Sequence, residues 1–252
     1  MDKIFQDILL RVQQTAMQNG TMNPPDGEEL DAQTLAERDA RWAAIKKEEE
    51  DQRRREHAKA VEHAGIFARY AHITFDAIEQ RGLPKNPSIC ANYAIAKDYA
   101  AHLKENLRQG IGLILAGGYG TMKTTLAVAI LRAQVDRGGS GLIVPMCSLI
   151  DHLYTLRTLN REAWAQFEER IRQTPLLVID DLGGENTEQS WVLAKVDSIL
   201  TDRYNRLRPT IITTNLTRDE LAGTYSGRIL DRLKSTARLL VFQGASERGV
   251  MK

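Results

Sequence analysis

From Asn92 onward, helical patterns alternate with short apolar runs rich in β-branched residues: Gly112 to Ala116, Leu142 to Pro145, Leu176 to Asp180, Thr210 to Thr214 and Leu239 to Phe242. Runs of four or five such residues between turn signals read as buried strands. Their alternation with helices predicts an α/β fold with a parallel sheet and right-handed crossovers. Upstream the pattern changes. Ile4, Ile8, Leu9 and Val12 recur at helical spacing and predict a short amphipathic helix, ended by Gly20 and the Asn23-Pro24-Pro25-Asp26-Gly27 cluster. From Leu30 to about His63 the chain is helix-forming but highly charged, and Lys46 to Glu56 mixes signs with many i,i+4 opposite pairs. A helix this polar buries little against its own core, so it reads either as an exposed spacer or as a partner-docking arm. Between Ala64 and Pro87, Phe67, Tyr70 and Phe75 mix with the breakers Gly82, Pro84 and Pro87, which suggests a structured junction. The expected organisation is a small helical N-terminal region over 1–63 and an α/β domain over 64–252, with no repeat at a fixed period.

Composition narrows the class. Hydrophobic residues make up 42% and charged residues 27%, a balance that supports a sizeable core and excludes wholesale disorder. Lys plus Arg number 34 against 33 for Asp plus Glu, so there is no global electrostatic footprint for nucleic acid or an acidic membrane, and any DNA contact is local. Cys90 and Cys147 lie far apart without metal-ligand spacing, which argues against structural zinc and a disulfide framework and fits a reducing compartment. Met1 to Met17 lacks a continuous apolar core, and no apolar run approaches the ~20 residues of a membrane span, so a cytoplasmic protein without membrane attachment is expected.

The chemistry concentrates in Leu113 to Thr125, an apolar strand followed by Gly117-Gly118-Tyr119-Gly120-Thr121-Met122-Lys123-Thr124-Thr125 and a helix from Leu126 to Val135. Glycines let such a loop turn its N–H groups around a phosphate, and the helix N-terminus adds a favourable dipole. Lys123 is placed to reach the β/γ-phosphates, and Thr124 to ligate Mg²⁺. Met122 departs from the pattern by occupying its second glycine position. An ordinary Gly-rich turn is the plain alternative, and a second motif weighs against it. Leu176-Leu177-Val178-Ile179-Asp180-Asp181 is an apolar strand ending in two acids, where Asp180 would hold Mg²⁺. Glu185 reads either as an assisting acid or as a solvated loop residue. Thr210 to Asn215 forms a β-branched strand ending in an amide. In Ser226 to Leu233, Arg228 and Arg232 share a helical face. Either they pair at the surface, or one, Arg232 first and Arg228 second, reaches a neighbouring subunit's γ-phosphate as an arginine finger.

Gly117 to Thr125, Leu176 to Gly183, Thr213 to Asn215 and the Arg-Ile-Leu-Asp-Arg-Leu block together resemble the DnaC/IstB branch of AAA+ ATPases, over about Gly65 to Arg248. Gly65 to Tyr70 with Thr74-Phe75 is similar to the lead-in segment of that branch. The resemblance implies a five-stranded parallel core, ATP and Mg²⁺, tolerance of Met122, and self-association through the ATPase domain. It implies that Asp181 stands where many AAA+ enzymes have a glutamate orienting the attacking water, that Asn215 acts as sensor 1 and that Arg248 resembles sensor 2. It also implies work on DNA. Loaders dock an N-terminal domain on the hexameric replicative helicase and deliver it to single-stranded DNA, whereas IstB-type proteins remodel duplex target DNA for a transposase. The separate N-terminal region favours the loader, without a zinc-bearing docking domain since no cysteine precedes Cys90. A non-hydrolysing helicase adaptor is the third reading. Tyr154, Arg157, Arg161 and Trp164 are of the right type for single-stranded DNA, and core aromatics with ordinary surface arginines explain them equally well.

Overall fold

The computed structural model describes residues 32–184 and 190–247. The expected helix around Ile4 to Val12, Glu185 and Arg248 lie outside the described residues. The chain divides into two compact units, Met1–Arg53 and Arg54–Lys252. Of the first, helix α1 is described. It runs Ala32–His63, close to the expected Leu30–His63, and its last ten residues belong to the second unit.

The second unit continues with a short 3₁₀ turn at Ala68–Tyr70, α2 (Phe75–Arg81), α3 (Pro87–Ala101) and α4 (Leu103–Gln109). There follow β1 (Gly112–Gly117), α5 (Lys123–Asp136), β2 (Gly141–Pro145), α6 (Met146–Leu159), α7 (Arg161–Gln173) and β3 (Leu176–Leu182). The chain then forms α8 (Ser190–Asn205), β4 (Thr210–Thr214), α9 (Arg218–Thr224), α10 (Gly227–Thr236) and β5 (Ala237–Phe242). All five predicted strands form, and they pair in parallel in the order β2-β3-β4-β1-β5. The strand at the end of the chain begins at Ala237, two residues before the apolar run, because β5 pairs along all of β1 from Gly112↔Ala237 to Gly117↔Phe242.

Side chains alternate across a pleated strand, so a sheet covered on both faces needs apolar residues at both parities. Leu113, Leu115, Leu176, Val178, Ile211 and Leu240 pack with residues of α2, α3 and α5 in one core. Leu177, Ile179 and Ile212 pack with residues of α6, α7, α8 and α10 in another. The helices start where local chemistry lets them. Asn86 caps α3 by accepting from the N–H groups of Ser88 and Ile89, with Pro87 in the first turn, and Asn160 caps α7 through Ala163. Thr217 and Glu220 form a reciprocal capping box on α9.

At the free edge of β2, the end of α1 and the residue after it are tied to their neighbours. Ala64 O accepts from the N–H of Ile143, and His57 Nε2 lies 2.7 Å from Asp136 Oδ1, which also accepts from Arg132 Nε. At the N-terminal ends of β3 and β4, Arg203 is fully buried. Its guanidinium donates to Thr210 Oγ1 and to the carbonyls of Ile171, Arg172, Thr174 and Pro209, at 2.7–3.2 Å. No helix of the described residues is long and apolar enough to cross a membrane.

Candidate functional site

In open parallel sheets, ligands bind beyond the carboxyl ends of the strands. Here a cavity of about 610 Å³ opens there, within the size of small-molecule sites. Its floor is the loop from Tyr119 to Thr125, and Asp180, Asp181, Thr213 and Asn215 form one side.

The loop's geometry follows from what each residue tolerates. Met122, in the position where the motif has glycine, adopts φ 70, a left-handed conformation that costs an L-residue ~1–2 kcal/mol. Its side chain is buried in the core against α5 and β1, and burying a methionine contributes about 1.5–3 kcal/mol, which offsets that strain. Met122 is also the N-cap of α5 and offers no side-chain acceptor, so the first-turn N–H groups lack a side-chain cap. A phosphate oxygen is the acceptor chemistry such a turn takes. At Gly120, φ 74, a Cβ would lie 1.9 Å from Ser246 Oγ, and Gly120 O accepts from the N–H of Glu247, so the segment after β5 lies directly on the loop.

Lys123 is buried. Its ammonium donates to Gly117 O at 2.7 Å, Gly118 O at 2.6 Å and Asn215 Oδ1 at 2.9 Å. Thr124 Oγ1 donates to Asp180 Oδ1 at 2.8 Å. The two acids are aimed by a bulge: between Ile179↔Ile212 and Leu182↔Thr214, β3 spends one residue more than β4, and Asp181 takes φ 60. Thr213 stitches the bulge. Its Oγ1 accepts from the Asp181 N–H at 2.9 Å and donates to Asp180 Oδ1 at 2.6 Å. Asn215 Nδ2 donates to Asp181 Oδ1 at 2.5 Å. Lys123, Asn215 and Asp181 thus form one hydrogen-bonded chain, and Thr124, Asp180 and Thr213 a second that meets it at Asp181. The pair of hard oxygen donors on Thr124 and Asp180 suits Mg²⁺, which is usually held by one or two carboxylates together with phosphates. Among the described residues, no group of three or more His, Cys, Asp or Glu side chains is gathered to hold a metal unaided.

The remaining candidates lie apart from this cluster. Arg232 is turned to α8, with Nη1 hydrogen-bonded to Thr201 Oγ1 and 3.5 Å from Asp197 Oδ1, and its guanidinium lies over the Tyr204 ring. Arg228, one turn earlier, is exposed. Tyr154, Arg157 and Arg161 are exposed on the α6–α7 hairpin, whereas Trp164 is half-buried under Lys195, 5.0 Å from its ring centre. The cavity also contains residues that spacing did not single out. Arg69, Tyr70, His72, Ile73 and Arg81, all upstream of the loop, form its far wall, and Glu247 closes one end. Only the similarity of Gly65 to Tyr70 to a lead-in segment pointed toward them. His72 and Arg81 left no motif-like signal.

A sequence model of the IstB-like ATP binding proteins matches residues 92–252. The replicative helicase loader DnaI of Bacillus subtilis (strain 168) is 29% identical over 158 residues, covering 62% of this chain and 50% of that protein. The replicative helicase loader DnaC of Escherichia coli (strain K12) is 27% identical over 139 residues, 55% of each. The chain therefore spans about half the length of the curated relatives it matches. A crystal structure of the DnaC helicase loader is similar with a TM-score of 0.62 and 30% identity, over 70% of this chain and 100% of that one. A crystal structure of DnaI shares the fold with a TM-score of 0.58 at 23% identity, over 73% and 94%.

Proposed function

The chain belongs to the family of IstB-like ATP binding proteins, and from that membership we propose that it is an ATP-driven loader that delivers a hexameric replicative helicase to single-stranded DNA. The observation that carries the reading is the double hydrogen-bonded chain Lys123–Asn215–Asp181 and Thr124–Asp180–Thr213, set in a protein that resembles DnaC and DnaI loaders.

In this reading the nucleotide's phosphates lie on the loop from Gly117 to Thr125 and accept from the first-turn N–H groups of α5. Lys123 exchanges its loop carbonyls for the β- and γ-phosphate oxygens. Thr124 and Asp180 would hold Mg²⁺, which would supply neutralising charge to the phosphates. Asp181 accepts the proton of the attacking water or orients it. Asn215, bonded to both Lys123 and Asp181, senses the γ-phosphate and reports its loss to the acid. The trans-acting arginine comes from the α10 face of a neighbouring copy. Arg228 is exposed for that role as it stands, and Arg232 must first leave Asp197 and Thr201. Such dependence on a neighbour ties hydrolysis to self-association. Tyr154, Arg157 and Arg161 supply stacking and phosphate contacts for single-stranded DNA, and the N-terminal region through α1 docks the helicase. Nucleotide-dependent grip, by differential affinity of the two nucleotide states for partners, is what makes hydrolysis useful.

The test mixes the purified chain with the hexameric replicative helicase of the same source and ATP and reads complexes by native mass, beside a version beginning at Arg54. Binding by the full chain and its loss on truncation support the loader and assign docking to the N-terminal region. No complex with either at micromolar concentration sinks it and favours the second reading, which the IstB family match itself supports: a transposase helper acting on duplex DNA. Release of phosphate in the helicase complex with single-stranded DNA separates both from a non-hydrolysing adaptor.

A further inference from the structure

The nucleotide cavity is acidic on its motif side. Asp180, Asp181 and Glu247 face it with three carboxylates, against the single ammonium of Lys123. A polyphosphate entering such a cavity would meet net repulsion. The opposite wall cancels that excess with two guanidinium groups, Arg69 and Arg81.

Both are held in place by their local structure. α2 begins at Thr74, whose Oγ1 accepts from the Ala77 N–H, and buries Phe75 and Ile78. Arg81 follows Ile78 by three positions and so lies beside the buried stripe rather than on the outer face. Gly82, at φ 84, ends the helix immediately after it. Arg69 sits in the 3₁₀ turn just before half-buried Tyr70. Among the described residues neither guanidinium is engaged by a carboxylate, and both are exposed and line the cavity.

We propose that Arg69 and Arg81 are polyphosphate-gripping residues that balance the cavity's carboxylates and set its preference for nucleotides with more phosphates. The inference rests on the nucleotide-site reading above. A guanidinium can bind a phosphate through two parallel N–H groups, and each added phosphate gives the two more charge to grip. Being exposed, their pull weakens with salt.

The experiment is calorimetry on the full chain with Mg²⁺ and ATP, ADP or AMP, at low and high salt, for the wild type, Arg69→Ala, Arg81→Ala, the double variant and Lys123→Ala. Each single arginine variant is expected to lose about tenfold in ATP affinity at low salt and less for AMP, because a charge-assisted contact is worth about that factor. The double variant loses most of the ATP-over-AMP preference and of the salt dependence, and Arg81→Lys recovers part of the affinity but not all. Unchanged ATP affinity and ATP:AMP ratio in the double variant, with binding lost in Lys123→Ala, overturns this inference and leaves the nucleotide site intact. If Lys123→Ala also binds normally, the nucleotide-site reading itself fails. If the double variant keeps its ATP:AMP ratio but loses affinity for an oligothymidylate, the wall is a nucleic-acid surface and the proposal is wrong.

Discussion

Two cations are buried at opposite ends of the same sheet, and both are surrounded by carbonyl oxygens. Arg203, below β3 and β4, is 1% exposed and donates to four backbone carbonyls and one hydroxyl. Lys123, beyond the end of β1, is 7% exposed and donates to two carbonyls and one amide oxygen. Burial pushes the Arg203 guanidinium down to about 9, which still leaves it charged at neutral pH. The difference lies in the acceptors. Those of Arg203 belong to the C-terminal end of α7 and the segments entering β3 and β4, where the helix dipole favours a cation and nothing can move without breaking the sheet. Those of Lys123 belong to a glycine loop and a side chain that can turn away. The same pairing therefore makes a permanent staple in one place and a ligand site in the other. A planar fork suits the first, and a compact ammonium with rotatable donors suits the second.

The largest expected effect tests the staple. Arg203→Met leaves a hydroxyl and four carbonyls without their donor, and unfolding in urea should show a loss of about 4 kcal/mol, since each orphaned buried acceptor costs ~1–3 kcal/mol and part is regained by relaxation. If the loss is under about 1 kcal/mol, the two cations do not differ in kind. Next, Lys123→Ala should lower ATP affinity about 10- to 100-fold, the range for a charge-assisted contact, while the unfolding free energy from urea titration stays within ~1 kcal/mol of the wild type. A smaller effect is expected at the loop's own anchor. Met122→Gly restores the motif and relieves the left-handed strain, yet loses methionine burial. It should destabilise the chain by about 1 kcal/mol, read as a thermal midpoint a few degrees lower. Stabilisation instead would mean that Met122 does not anchor the loop.

The smallest effect concerns a carboxylate near the staple. Burial on its own raises Glu168, but hydrogen bonds from Arg172 and Lys195 outweigh it and hold the carboxyl below its usual range. A depressed carboxylate contributes stability above its unfolded value, and that contribution fades as pH falls through the folded value. Glu168→Gln should therefore cost ~1 kcal/mol at pH 7, as expected for a partly screened pair, and progressively less as acid protonates the folded carboxyl. A pH-independent difference would point to packing rather than charge.

Much of this frame was legible in the chain. The five apolar runs became the five strands, because a parallel sheet covered on both faces needs continuous hydrophobic stretches. Gly117 to Thr125 and Asp180-Asp181 came together because strand ends in such a sheet converge on one edge. What was not legible depends on contacts between distant segments. The bulge that aims Asp180 and Asp181 exists only in the pairing of β3 with β4, and the far wall holding His72 and Arg81 has no periodicity of its own. Arg232 shares a helical face with Arg228, yet only the packing of α10 on α8 shows it bound to Asp197 and Thr201.

The contact of Gly120 with Ser246 carries a consequence for how such a sequence can drift. The space a Cβ would need at one position is filled by the hydroxymethyl group of the other, and the neighbouring N–H of Glu247 is tied to the same glycine's carbonyl. Positions 120 and 246, far apart in the chain, therefore share a single allowance of volume. Across related sequences they should change in concert: a larger residue at 246 would demand a displaced loop, and a side chain at 120 would demand a shortened or rerouted tail.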